Sequence, residues 1–173
     1  STPYLIRVLE HGADIVVNSS SKYINGSSNA ISGVLTDSGK FKWDKEKYPG
    51  LADYAKFGSM AFVAKIRNGL FRNIGACLAP VNAYLNLIGI ETLGLRMERE
   101  CGNAYELAQW IEDTYPDIKV NYPGLKSSPW HDIADGELTN GYGAIFTLRV
   151  GSKEKAFKFI DSLTIPYTLS NIG

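Results

Sequence analysis

One stretch of the chain repeats apolar residues at helical spacing, and it limits how the remainder can be arranged. Successive apolar positions are three or four residues apart, running through Leu93, Met97, Cys101, Ala104, Ala108 and Ile111. This spacing puts the side chains on one face of an α-helix that ends near Tyr115-Pro116. We expect the charged residues of the same stretch mostly on or beside its solvated side: Arg96, Glu98, Arg99 and Glu100. Because strand-like segments lie before and after this helix, we predict that it bridges two structural units.

The segments before the long helix alternate between strand-like and helical patterns. Residues 14–18 and 31–36 are short runs rich in β-branched residues, which predict buried strands of an α/β sheet. The polar segment 40–54 is expected to be a surface excursion. Apolar spacing predicts a helix over 58–74 and a further helix that begins at Pro80 and continues to Gly89.

The segments after the long helix have a different character. The pattern of residues 119–124 predicts a short strand and turn, and the pattern of residues 144–150 predicts a well-defined strand. A helix is predicted over 153–163 and another strand over 166–170. Strand, strand, helix and strand together make a small α+β unit.

Composition excludes several classes of protein. The chain has 173 residues, 45% of them hydrophobic, which suits one globular domain. Its 18 basic and 18 acidic residues give no general attraction to nucleic acid or anionic membranes. No run approaches the roughly 20 apolar residues that a membrane span needs, so we predict a soluble, cytoplasmic protein. Cys77 and Cys101 lack metal-ligand or redox spacing, so we expect two buried thiols in helix-like surroundings and no metal site.

A lysine follows the first strand-like run. Lys22 comes after Ser19-Ser20-Ser21 and before the small-residue loop 25–28. An amine held at the end of a buried strand loses hydration, which makes its neutral, nucleophilic form accessible. Short hydroxyls and free backbone amides are typical ligands of phosphate. The segment therefore predicts a phosphate-bearing aldehyde as its ligand, and pyridoxal phosphate is the obvious cofactor.

Other interpretations of this segment are weaker. An isolated lysine is most often a solvated surface charge, but that alternative does not explain the neighbouring hydroxyls. A nucleotide P-loop needs its glycines before the lysine, whereas Gly26 follows Lys22. A catalytic triad has only His11 and His131 to draw on, and neither is in a nucleophile-elbow context. We expect His11 to be a helix cap or surface residue and His131 to lie at a surface or interface.

Several segments resemble one group of enzymes. Residues 2–7, 10–17 and 19–23 resemble the region around the cofactor lysine in the PLP-dependent enzymes of Cys/Met metabolism, the trans-sulfuration group. The sulfhydrylase branch, which acts on O-acetylhomoserine, is the most similar in residues 57–83, 91–99 and 121–125.

The resemblance implies an α/β fold: the latter part of a PLP-dependent, aspartate-aminotransferase-like (fold type I) large domain, followed by an incomplete small α+β domain. Residues 1–115 would belong to the large domain with its bridging helix, and 116–173 to the small one, with the boundary near 112–120. The family's ring-pairing aspartate and carboxylate-binding arginine have no counterpart here. We therefore expect a piece of a longer homo-oligomeric enzyme, a dimer or tetramer, that is inactive by itself.

The resemblance also implies a site and a reaction. Lys22 would bind pyridoxal 5′-phosphate covalently and transfer protons, Ser19 and Ser21 would hold the phosphate, and Asn171 with the backbone of Ile172 would help bind the substrate carboxylate. The implied reaction is γ-replacement on O-acetylhomoserine by sulfide or a thiol, giving homocysteine or methionine and acetate, a transferase step of methionine biosynthesis. Cystathionine γ-synthase, γ-lyase or methionine γ-lyase activity is an alternative, and so is a non-catalytic fragment.

The chain departs from the family at three places. The family usually has histidine where Asn18 stands, threonine where Ser21 stands, and a Gly-Gly-His-Gly-like loop at 25–28. Serine keeps the hydroxyl of threonine, so we expect phosphate binding to survive.

Overall fold

The first two strands form a small ribbon. The computed structural model describes residues 2–169. Strand β1 (Ile15–Asn18) pairs antiparallel with β2 (Val34–Asp37), with Ile15 opposite Asp37. The prediction of buried strands is wrong for this chain, because within residues 2–169 these two strands pair only with each other and Val17 is 73% exposed. A two-stranded ribbon leaves apolar side chains uncovered unless another layer packs on it.

A broken helical run follows the ribbon. A 3-10 helix covers Pro49–Met60, in part of the chain expected to be a surface excursion. Helix α1 (Ala61–Ile66), a π-helical turn (Arg67–Phe71) and α2 (Arg72–Ile74) continue from it. The helix predicted over 58–74 therefore begins at Ala61, since Gly58 interrupts the run with a φ of 53°. Gly75 ends the run in the left-handed conformation at a φ of 72°, which glycine adopts without strain.

Two helices make up the middle of the chain. Helix α3 (Pro80–Glu91) begins at the predicted proline, and α4 (Leu93–Thr114) is the predicted long helix. All six predicted apolar positions of α4 are buried. The helix ends before Tyr115 because Pro116 disfavours the helical conformation in the residue before it.

The last part of the described chain contains a second small ribbon and two helices. Strand β3 (Lys119–Asn121) pairs antiparallel with β4 (Thr147–Arg149), which is shorter than the predicted strand over 144–150. Helix α5 (His131–Glu137) was not predicted, whereas α6 (Lys153–Asp161) was. Residues 166–169 form no strand, and the end of that predicted strand lies outside the described residues.

Helix α4 supplies the core on both sides of its midpoint. Its first half packs against the N-terminal segment and the turn that follows β1, in a cluster of Leu5, Tyr23, Leu93, Met97 and Cys101. Its second half packs against the segment after β3, in a cluster of Ala104, Ala108, Tyr122 and Leu125. One helix thus anchors both the lysine-bearing turn and the second ribbon.

The two cysteines have different environments. Cys101 is buried in α4 as predicted, but Cys77 is exposed, in the non-helical link between α2 and α3. The prediction for Cys77 is wrong because none of the described elements covers that link. Within residues 2–169, none of the helices combines the length and apolar character needed to cross a membrane.

Candidate active site

Lys22 lies in a tight turn directly after β1. The amide of Asn25 donates to the carbonyl of Ser20 at 2.9 Å, and the amide of Gly26 donates to the carbonyl of Lys22 at 2.7 Å. Ser20 and Asn25 are each only 1% exposed, whereas Lys22 is half-buried. The backbone around Lys22 is therefore held from within the turn, and its amine remains partly accessible.

Asn25 organises the loop after the turn. Its Nδ2 donates to Oδ1 of Asn29 at 2.9 Å, and its Oδ1 accepts from the amides of Ser27 and Asn29. Gly26 has a φ of 69°, in the left-handed region that glycine tolerates. A buried asparagine thus structures the segment in which the family usually carries a histidine.

Ser32 connects the serines of the turn. Its amide donates to Oγ of Ser21 at 2.7 Å, and Oγ of Ser21 donates to its carbonyl at 3.1 Å. Its hydroxyl accepts from Ser20 at 2.7 Å and from Nδ2 of Asn86, on α3, at 2.8 Å. The sequence pattern did not indicate Ser32 or Asn86, since neither lies near the lysine in sequence.

Arg96, in the first turn of α4, connects the Lys22 turn to the C-terminal end of α3 through hydrogen bonds. Nη2 of Arg96 donates at 2.8 Å both to the carbonyl of Tyr23 and to that of Gly89. Its Nε donates to Oγ1 of Thr92 at 3.1 Å. Arg96 is half-buried beside the solvated side of α4, as expected, and its three hydrogen bonds hold it over the junction of α3 and α4.

Two ionisable groups next to the turn have altered acidity. Burial raises the pKa of the Tyr23 hydroxyl, and the nearby Glu100 carboxylate adds to this effect. Burial also raises the pKa of Glu100, although the charge of Arg96 opposes it. The surroundings of the turn thus disfavour the negatively charged forms of Tyr23 and Glu100.

The structure brings three of the predicted site residues together. Ser19, Ser21 and Lys22 share the turn, and the side chains of Ser19 and Lys22 make no hydrogen bond to any of residues 2–169. Asn171 and Ile172 lie outside the described residues. A cleft of about 530 Å³ beside β1 is lined by Asn18, Val16 and the N-terminal segment, but not by Lys22.

These residues suit pyridoxal phosphate in chemistry. A primary amine can bond the aldehyde carbon, and serine hydroxyls can donate to phosphate oxygens. The hydroxyl proton of Ser21 is directed at the carbonyl of Ser32, so a phosphate group would have to compete for it. Ser19 has no such competing bond among the described residues.

Neither histidine takes part in the site. His11 is exposed in a turn, not at the end of a helix. His131 is half-buried at the first position of α5, and its Nδ1 lies 3.0 Å from the carbonyl of Pro123.

Comparison with known proteins identifies the family. The family model described as Cys/Met metabolism PLP-dependent enzyme matches residues 1–173. The chain belongs to this family. Among the relatives of this chain, Sulfhydrylase FUB7 of Fusarium oxysporum f. sp. lycopersici is 41% identical over 98% of the chain. The chain spans 42% of that relative's length.

Two solved structures of Cys/Met metabolism enzymes share the fold. The O-acetylhomoserine sulfhydrylase of Wolinella succinogenes is 42% identical, with a TM-score of 0.83, over 99% of this chain and 49% of its own. A Campylobacter jejuni protein described as an O-acetylhomoserine (thiol)-lyase is 30% identical, with a TM-score of 0.86, over 98% and 45%. That structure contains N′-pyridoxyl-lysine-5′-monophosphate. The predicted fold class is confirmed: the chain is part of the α/β fold of fold type I PLP-dependent enzymes.

Proposed function

We propose that the whole protein carrying these residues is a PLP-dependent O-acetylhomoserine sulfhydrylase of methionine biosynthesis. The observation that carries the proposal is the Lys22 turn: its backbone is held by internal bonds, while its amine makes no hydrogen bond to residues 2–169. The 42% identity to the Wolinella enzyme supports the choice of reaction. O-acetylhomoserine and sulfide would give homocysteine and acetate.

The predicted site residues of this chain would have separate roles in the reaction. Lys22 would hold the cofactor covalently, then, released by substrate, take the proton from the α-carbon and return protons to the carbon chain. Ser19 and Ser21 would bind the phosphate, and Asn171 with Ile172 the substrate carboxylate. When bound, the cofactor supplies the electron sink that makes these proton transfers possible.

The proposal extends to the organisation of the protein. Residues 1–115 would belong to the large domain and 116–173 to an incomplete small domain, which is supported by the end of α4 at Thr114 and the separate β3–β4 ribbon. The protein would be a cytoplasmic homo-oligomer. Association of subunits would cover apolar side chains that are exposed on α3: Val81, Tyr84, Leu87 and Ile88.

Three measurements on the whole protein test the proposal. Borohydride reduction followed by peptide mass analysis should place the pyridoxyl group on Lys22, and Lys22→Ala should lose the visible cofactor absorbance. Lys40→Ala, at an exposed lysine, is the matched control and should retain it. Homocysteine formation from O-acetylhomoserine and sulfide should be lost in Lys22→Ala. Cystathionine and methionine, each assayed separately as the substrate, test the alternative activities. A pyridoxyl group on another lysine would contradict the role of Lys22, and failure to bind the cofactor would favour a non-catalytic protein.

A further inference from the structure

Arg96 ties the residue after Lys22 to the junction of two helices. Its Nη2 donates to the carbonyl of Tyr23 and to that of Gly89, both at 2.8 Å, and its Nε to Oγ1 of Thr92 at 3.1 Å. Tyr23 directly follows Lys22 in the chain. The position of the Tyr23 carbonyl therefore sets the direction in which the backbone leaves Lys22. One guanidinium therefore joins the turn, the end of α3 and the first turn of α4.

Geometry, not ion pairing, holds this guanidinium in place. Among residues 2–169, Arg96 has no carboxylate within salt-bridge distance, and its three bonds go to neutral oxygens. A planar guanidinium donates in several fixed directions at once, whereas a lysine ammonium at the end of a flexible stem cannot match them. The site thus requires the shape of arginine as well as its charge.

Two glycines make room for the arrangement. A Cβ at Gly26 would collide with the guanidinium of Arg96, so glycine at this position lets the side chain pass under the loop. A Cβ at Gly89 would collide with the backbone carbonyls of Ile24 and Asn25, so α3 contacts the turn directly. Both positions keep the loop, α3 and Arg96 in close contact.

We infer that Arg96 is a positioning residue for Lys22: it fixes the backbone on the C-terminal side of the lysine and so aims the amine at its reaction partner. Its side-chain hydrogen bonds go to Tyr23, Gly89 and Thr92, so it acts on Lys22 through the Tyr23 carbonyl. The inference deepens the proposed function and rests on it for the identity of the partner, but the restraint on the turn is a property of the chain itself. A misplacement of about 1 Å in a reacting group can cost roughly a hundredfold in rate.

Hydrogen exchange of the whole protein, measured before cofactor is added, tests the restraint. Arg96→Lys keeps the charge and Arg96→Gln removes it; both lose the fork of donors. The matched control is Arg99→Gln, an exposed arginine of the same helix. Both Arg96 variants should speed exchange of the Asn25 and Gly26 amides roughly tenfold or more, as expected from losing hydrogen bonds to a charged group. The control should leave these amides unchanged.

Kinetics of the cofactor-loaded protein give the second readout. Both Arg96 variants should lower kcat at least tenfold with a smaller change in KM, and should slow covalent attachment of pyridoxal phosphate. Wild-type exchange and kinetics in Arg96→Lys would overturn the inference, because charge alone would then suffice. Exchange that rises equally along all of α4 would also overturn it, as a general loss of stability. If the cofactor were instead found on another lysine, the proposed function would fail while the exchange result at the turn would still stand.

Discussion

The hydroxyl of Tyr122 donates a hydrogen bond of 2.8 Å to the carbonyl oxygen of Gly143 inside the second core cluster. Tyr122 is completely buried and packs against Ala104 and Ala108 of α4. Burial, with the nearby Cys101 thiol, raises its pKa far above the ordinary range, so the phenol stays neutral and keeps its donor. This bond fastens the segment before β4 to the segment after β3.

Tyr122→Phe should therefore destabilise the protein by about 1–3 kcal/mol, because it leaves the Gly143 carbonyl without its partner. Urea denaturation of the two proteins measures the change. Tyr167→Phe is the matched control, since Tyr167 is exposed and should change the free energy of unfolding very little. An unchanged midpoint in Tyr122→Phe would mean that another donor replaces the hydroxyl.

Gly89→Ala should also destabilise the protein. A methyl group there would meet the backbone carbonyls of Ile24 and Asn25, and backbone atoms cannot move aside as a side-chain end can. We expect a loss of about 1–3 kcal/mol from overpacking. The matched change is Gly102→Ala in α4, where the added methyl meets nothing within 4 Å. That variant should be stabilised by up to about 1 kcal/mol through helix propensity, and equal effects at the two positions would contradict the close contact.

The two thiols should react at very different rates. Cys77 is exposed, whereas Cys101 is buried and burial raises its pKa, with Glu100 adding to the effect. The thiolate is the reactive form, so a buried thiol with a raised pKa reacts slowly. Timed alkylation of the native protein with iodoacetamide should label Cys77 first, and Cys101 only after denaturation. Comparable labelling of both in the native state would be incompatible with the α4 packing.

Glu100 should make stability depend on pH. Burial raises its pKa above the ordinary value of 4.5, so the folded protein binds this proton more tightly than the unfolded chain. Its contribution is fully present below pH 4.5 and is lost as the pH rises through the folded-state pKa.

Glu100→Gln should remove that loss, so the variant should gain stability over wild type as the pH rises from 4 to 7. Thermal melts across this range measure the difference. Glu106→Gln, at an exposed position of the same helix, should follow the wild-type curve. A parallel curve for Glu100→Gln would mean that Arg96 fully compensates the burial.

The sequence by itself determined the long helix and the lysine. The apolar spacing from Leu93 to Ile111 specifies one buried face wherever the helix packs, so α4 has the predicted bounds. The prolines in the sequence predicted the start of α3 and the end of α4. They could do so because a proline constrains the backbone only within a few residues of itself. The residues around Lys22 were enough to indicate the family that the comparisons confirm.

Only the tertiary structure decided how the lysine is supported. Arg96 reaches Tyr23 in the turn across 73 positions of sequence, and Asn86 reaches Ser32, which is bonded to the turn, across 54. A polar residue on a helix gives no local sign of which distant group it will bond. Burial of the strands was equally undetermined, because an apolar β-branched run is covered only if another layer packs on it, and in the described part of the chain β1 pairs with β2 alone. Local spacing sets which elements form, whereas contacts between distant parts of the chain set which of them surround Lys22.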